Sequence, residues 1–288
     1  MIASQPIFPA AVPFRPVPRA GVMERARGAA RLTLKSVEGR TVLAENYQSG
    51  SARFRFPNTE PPDRFTAVLL NTAGGITGGD EFSTSVTLAD GADAAVTTQA
   101  AERIYRRSAG MARIETTLTL GKGATLAWLP QETILFDRAG LARSLSAEID
   151  ETASLLAVES IVLGRAAMGE TIATSALTDR WRIRRGGRMV FADGLRLEGD
   201  ATSILSGGAT GKGATALATL VLVAPDAERR LSVARATLAD CGAEAGASAW
   251  NGMLVARLLA PGGAPLRAAL IRLIESLRGL SMPRVWHC

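Results

Sequence analysis

The sequence predicts a mainly β fold, a β-helix-like stack of strands or a large sandwich of hairpins, with two α-helices in the C-terminal region. Three observations predict it. Alternating apolar and polar runs, the period of half-buried strands, recur along most of the chain. A unit of strand, tight turn, alanine and strand returns about every 30 residues, as in stacked repeats. Its copies are Val86–Ala92 before Ala94–Gln99, Leu118–Ala124 before Thr125–Leu129, and Ala147–Ala153 before Ser154–Glu159. Apolar residues at helical spacing appear only late in the chain.

The elements follow in order. Residues 1–21 carry Pro6, Pro9, Pro13, Pro16 and Pro18 without apolar periodicity and read as an extended, flexible tail. Residues 22–288 read as one β-rich domain. Ala30–Val37 alternates, Glu38-Gly39-Arg40 turns, and Thr41–Glu45 returns. Arg53–Phe56 is a third strand, and the apolar run Phe65–Leu70 is a fourth. Trp181–Asp193 is the clearest hairpin, with Gly186-Gly187 fitting a two-residue primed turn. Ala216–Val223 is a late strand. Asp226–Ala239 has helical spacing. Pro265–Leu280 has it more strongly, with Pro265 suited to the first helical position and Gly279 to the end.

The chain is organised around Asn71–Asp80. Gly74, Gly75, Gly78 and Gly79 suit a turn that needs positive φ or close backbone approach, and Asp80 ends it as a carboxylate on bent backbone. The following residues have strand periodicity, so no helix N-terminus is available to hold a phosphate. Ser206–Gly213 imitates a P-loop but has Ser206 for the first glycine and Gly213 for the magnesium-binding hydroxyl. Both are rejected as nucleotide sites.

Apolar content of 47% and charged content of 21% are those of a soluble globular protein. No apolar run is long enough for a membrane helix, and the N-terminus lacks the pattern of a signal peptide, so the expected location is the cytoplasm. Net charge of +6 raises an arginine-rich RNA-binding module as one reading. The arginines are scattered, those of Arg180–Arg188 alternate along a strand, and aromatics are only 5%, which favours a solvated or partner-facing sheet face. No nucleic acid is expected.

Chemistry-bearing residues are few. His287 is the single histidine, so a Ser-His-Asp or Cys-His system would have to stand at the chain end. His287 and Cys288 supply two soft ligands, too few to close a zinc site. The remaining candidates are carboxylates in apolar surroundings: Asp80, Glu132 and Glu159. Strand alternation favours the solvent face for them. Facing inward, they could shift pKa or transiently ligate a divalent cation. A carboxylate-dependent β-helical hydrolase using Asp80 with Glu132 is the enzymatic alternative.

Asn71–Asp80 resembles the Gly-Gly-x-x-Gly-Gly-Asp signature of the urease accessory proteins called UreD, or UreH. Thr97–Arg106, Trp128–Phe136, Leu163–Glu170 and Pro283–Trp286 resemble further blocks of that family, in family order. Ala73 stands where the family often has proline. The resemblance implies a β-helix-like stack with two helices and a non-enzymatic nickel-insertion chaperone with no tightly bound cofactor. It implies partners: apo-urease, UreF and, through UreF, the GTPase UreG, in a dimer of UreD–UreF pairs. It further implies transient passage of Ni²⁺ along an internal route. Asp80, Glu132 and Glu159 are then the route candidates. The 265–280 helix, Arg284 and Trp286 are candidates for the UreF-facing surface.

Overall fold

In the computed structural model, residues 25–58, 65–165 and 168–287 are described. The proline-rich 1–21 segment and Cys288 lie outside them. Strand-forming stretches return at a constant interval because the chain coils. β4 (Phe65–Asn71), β6 (Asp93–Thr98), β9 (Thr125–Leu129) and β12 (Ser154–Leu163) stack in parallel in one sheet. β1 (Arg27–Val37), β5 (Glu81–Leu88), β8 (Ala112–Leu120), β11 (Gly140–Ile149) and β13 (Ser175–Arg185) stack in parallel in the other. A third, short ladder joins β7 (Glu102–Ile104), β10 (Thr133–Leu135) and the end of β12, and Ile76 bridges to Ile104. Glu81 pairs with Arg113 and Leu141 with Ala112, so each coil takes about 30 residues. The β-helix-like stack is therefore the architecture.

The recurring alanines mark corners. Ala92, Ala124 and Ala153 are fully buried where the two sheets converge, and only a small side chain fits there. Successive corners are tied to one another. The Gly91 amide donates to the Lys122 carbonyl at 2.8 Å, and the Lys122 amide donates to Asp90 Oδ1 at 2.8 Å.

Antiparallel strands flank the stack. β2 (Arg40–Gly50) pairs with β1, and β3 (Ala52–Arg55) with β4. β13 turns at Gly186 and Gly187, with φ of 54° and 76°, into β14 (Arg188–Gly199), the primed geometry expected. β15 (Ala216–Val223) pairs with β12, and the hairpin β16 (Glu244–Trp250) and β17 (Met253–Ala260) extends that sheet. Arg180, Arg182 and Arg184 line the exposed outer face of β13, between inward Trp181 and Ile183.

Three α-helices occur among the described residues. The short α1 (Ala201–Ser206) has no counterpart in the sequence reading, because Gly207 and Gly208 cut its apolar period to one turn. A 3-10 turn, Ala227–Arg230, leads into α2 (Leu231–Leu238). α3 (Gly263–Arg278) ends at Gly279 with φ of 65°, the left-handed cap predicted, while Pro265 sits at its third position rather than its first. α2 and α3 cover the outer face of the sheet that contains β12. One core fills the coil, with Leu34, Val86, Leu118, Leu141 and Leu155. A second lies under the helices, with Leu129, Val158, Leu220, Leu270 and Ile274.

Candidate functional site

The glycine turn is the corner between β4 and β5. Gly75 has φ of 147°, and a Cβ there would strike the Tyr105 ring. Gly79 has φ of 89°. Asp80 closes the turn with both oxygens occupied. The Ala26 amide donates to Oδ1 at 2.9 Å and the Thr77 amide to Oδ2 at 2.8 Å. Asp80 therefore fastens the start of β1 to the turn.

The carboxylates do not face solvent as alternation favoured. Asp80, Glu132 and Glu159 are 4%, 7% and 7% exposed. β12 is covered by the coil interior on one side and by the second core on the other, so its apolar residues run continuously and alternation carries no information. Glu132 faces α3, where Arg267 Nη1 donates to its two oxygens at 3.0 and 2.8 Å. Glu159 faces the coil interior. Asp80 and Glu132 are engaged separately, the first by the Ala26 and Thr77 amides and the second by Arg267.

Between the two sheets lies a cavity of about 240 Å³. Asn71, Gly74, Ala100 and Glu102 line its outer part, Thr84 and Thr116 its wall, and Thr133, Arg143 and Glu159 its end. Thr84 and Thr116 are register partners on β5 and β8, which places two hydroxyls side by side inside the coil. Arg143 on β11 forms ion pairs with Glu159 on β12 and, at 2.6 Å, with Asp179 on β13. Trp128 Nε1 donates to Glu159 Oε1 at 3.3 Å. Burial is the largest influence on Glu159 and pushes its pKa above the usual carboxylate range, against the pull of Arg143. Burial also pushes Glu102 up to about 7, although the Asn71 amide donates to both its oxygens.

Of the three sequence candidates, the cavity takes Glu159 alone. Arg143, Asp179 and Glu102 were missed. Their signal was phase. Arg143 stands between Leu141 and Leu145, and Asp179 between Leu177 and Trp181, each in step with the buried face of its strand. No group of three or more His, Cys, Asp or Glu side chains able to hold a metal occurs among the described residues. The loop 206–213 follows helix α1 and feeds strand β15, the reverse of P-loop order.

Trp286 is 2% exposed. Its Nε1 donates to Thr97 Oγ1 at 3.0 Å and to the Leu129 carbonyl at 3.3 Å, and Arg267 stacks 4.8 Å above its ring. The ring is thus engaged within the chain, while Arg284 and His287 are exposed.

The sequence model of the UreD urease accessory protein family matches residues 26–287. The chain belongs to the UreD family. It is 48% identical over 278 residues to the urease accessory protein UreD of Methylobacterium sp. (strain 4-46), covering 94% of this chain and 98% of that one. The UreD of Rhizobium leguminosarum bv. trifolii (strain WSM2304) is 48% identical over 265 residues, 92% of this chain and 96% of that one. The UreD 2 of Methylorubrum populi is 48% identical over 280 residues, 95% and 93% of the two chains. The UreD match begins where β1 begins and ends in the turn that carries Trp286, so it spans both sheets, the cavity and the C-terminal helix. No helix among the described residues is long and apolar enough to cross a membrane.

Proposed function

We propose that this chain is a non-catalytic chaperone of urease maturation, a scaffold and Ni²⁺ conduit between a UreF–UreG complex and apo-urease in the cytoplasm. The observation that supports it best is the cavity inside the coil, whose mainly apolar lining carries the hydroxyls of Thr84 and Thr116 and ends on Glu159. An apolar core has no use for hydroxyls and carboxylates around a void, since each buried polar group costs free energy without partners. Ni²⁺ is a divalent ion that favours imidazole, so the few oxygen donors of this space would hold it only weakly, as transit requires. Ni²⁺ enters past Asn71 and Glu102, moves along Thr84 and Thr116, and reaches Glu159. Few ligands at each point keep the ion moving, because a closed site would trap it. Asp80 and Glu132 hold the walls: the first fixes the glycine corner, the second fixes α3.

The partner-facing surface is the exposed side of α3 with Arg284, braced from behind by Trp286. UreF docks there, UreG follows through UreF, and two such pairs form the complex. GTP binding belongs to the partner. The cargo leaves with the partner, so no cofactor is held tightly.

The test is urease activation in cells that carry the remaining accessory proteins, comparing wild type with Glu159→Gln, with pull-down of UreF and apo-urease in parallel. Intact complexes with urease activity reduced about tenfold or more are expected, the range for loss of a positioned charged ligand. Full activation by Glu159→Gln would remove Glu159 from the route.

A further inference from the structure

Arg143 is out of place by the rules of its strand. Its side chain points into the coil on the same face of β11 as Leu141, Leu145, Ala147 and Ile149. It is 5% exposed. Its guanidinium meets Glu159 across the core, donates to Asp179 Oδ2 at 2.6 Å on the neighbouring strand, and donates to Thr133 Oγ1 at 3.0 Å. Two carboxylates share one cation. The cluster is also under-satisfied. Arg143 Nε and Asp179 Oδ1 are buried without a hydrogen-bond partner. A triad kept for stability alone would be close-packed with every polar atom paired. This one borders the cavity, whose end is formed by Arg143, Glu159 and Thr133.

We propose that Arg143 is a resident counter-cation occupying a divalent-cation site formed by Glu159, Asp179 and the Thr133 hydroxyl. When an ion arrives, the guanidinium withdraws along the cavity toward Thr84 and Thr116. The inference rests on the cargo reading above and adds its regulation. Charge supports the exchange. With Arg143 in place two carboxylates face one positive charge, and with Arg143 withdrawn they match a doubly charged ion. Donor chemistry supports weak holding, since two carboxylates and a hydroxyl bind Ni²⁺ less tightly than imidazole would and leave positions for water. Competition with the guanidinium keeps affinity low, which suits an ion that must be released. An empty site stays closed by its own arginine, so the buried carboxylates are never left bare.

The experiment is calorimetric titration of the untagged full-length chain with Ni²⁺. Arg143→Met is expected to bind one ion about tenfold or more tighter than wild type, the scale of a typical coupling between competing ligands. The triple variant Arg143→Met, Glu159→Gln, Asp179→Asn is expected to lose that gain. Equal affinity of Arg143→Met and wild type, or a triple variant as tight as Arg143→Met, would overturn the proposal. If circular dichroism shows Arg143→Met unfolded, Arg143→Lys decides. Lysine keeps the charge but cannot fork to both carboxylates, so tighter binding is expected, and unchanged affinity would overturn the proposal. The titration needs no urease. A site tightened by Arg143→Met would stand even if blocking the cavity left urease loading unaffected, in which case only the conduit reading would fall.

Discussion

At Gly75 the backbone takes a conformation that side chains rarely adopt, and the Tyr105 ring fills the space where a Cβ would stand. Gly75→Ala is expected to lower stability by about 1–3 kcal/mol, the usual cost of such strain, as read by urea unfolding. Glu102 makes a pH prediction. Its folded pKa of about 7 lies above the ordinary carboxylate value, so the folded chain binds more protons than the unfolded chain between those values. Stability therefore falls as pH rises through that window, and the penalty is complete above about 7. Glu102→Gln is expected to unfold later than wild type at pH 8, by at most ~3 kcal/mol, and equally at pH 4. An equal difference at both pH values would show that Glu102 ionises normally. Legibility also varied residue by residue. The glycine turn could be read because its demand is conformational and local. Arg143 and Asp179 could have been read from strand phase, since both interrupt an apolar face. Glu159 could not be assigned a face, because β12 is buried on both sides.

At the scale of elements, apolar runs closed by turn residues were the most legible, and β15 has the bounds its apolar run predicts. The β16–β17 hairpin was not legible. β16 reads Glu-Ala-Gly-Ala-Ser-Ala-Trp, too small and too glycine-containing to carry a strand signal, and it forms because β17 offers it an edge. The C-terminal turn is a latch between elements. Gln131 Nε2 donates to the Val285 carbonyl, Arg267 donates to Glu132, Gln131 and the Trp286 carbonyl, and Trp286 fills the second core. Trp286→Ala is expected to cost about 3–5 kcal/mol in urea unfolding, as for other buried aromatic truncations. Arg267→Ala removes the cation paired with a buried carboxylate and is expected to cost about 2–4 kcal/mol. Replacing Glu132 by Gln in the same chain should recover part of that loss. Absence of recovery would mean that Arg267 acts through packing on Trp286 and not through the ion pair.

At the scale of the molecule, the coil explains why a cavity exists at all. Two sheets held apart by a short third ladder leave space beside that ladder, and Thr84, Thr116 and Thr133 place hydroxyls on its mainly apolar lining. The stack was legible from its repeat, whereas the cavity was not, because it arises from residues on many different strands. A route for nickel through this interior makes a steric prediction independent of ligand chemistry. Thr84→Leu with Thr116→Phe fills the cavity with apolar volume and leaves the outer surface unchanged. The deciding measurement is the nickel content of urease matured in cells with this double variant, with pull-down confirming that UreF and apo-urease still bind. The account predicts intact complexes and urease depleted of nickel. Urease fully loaded with nickel, matured by the filled chain, would contradict it.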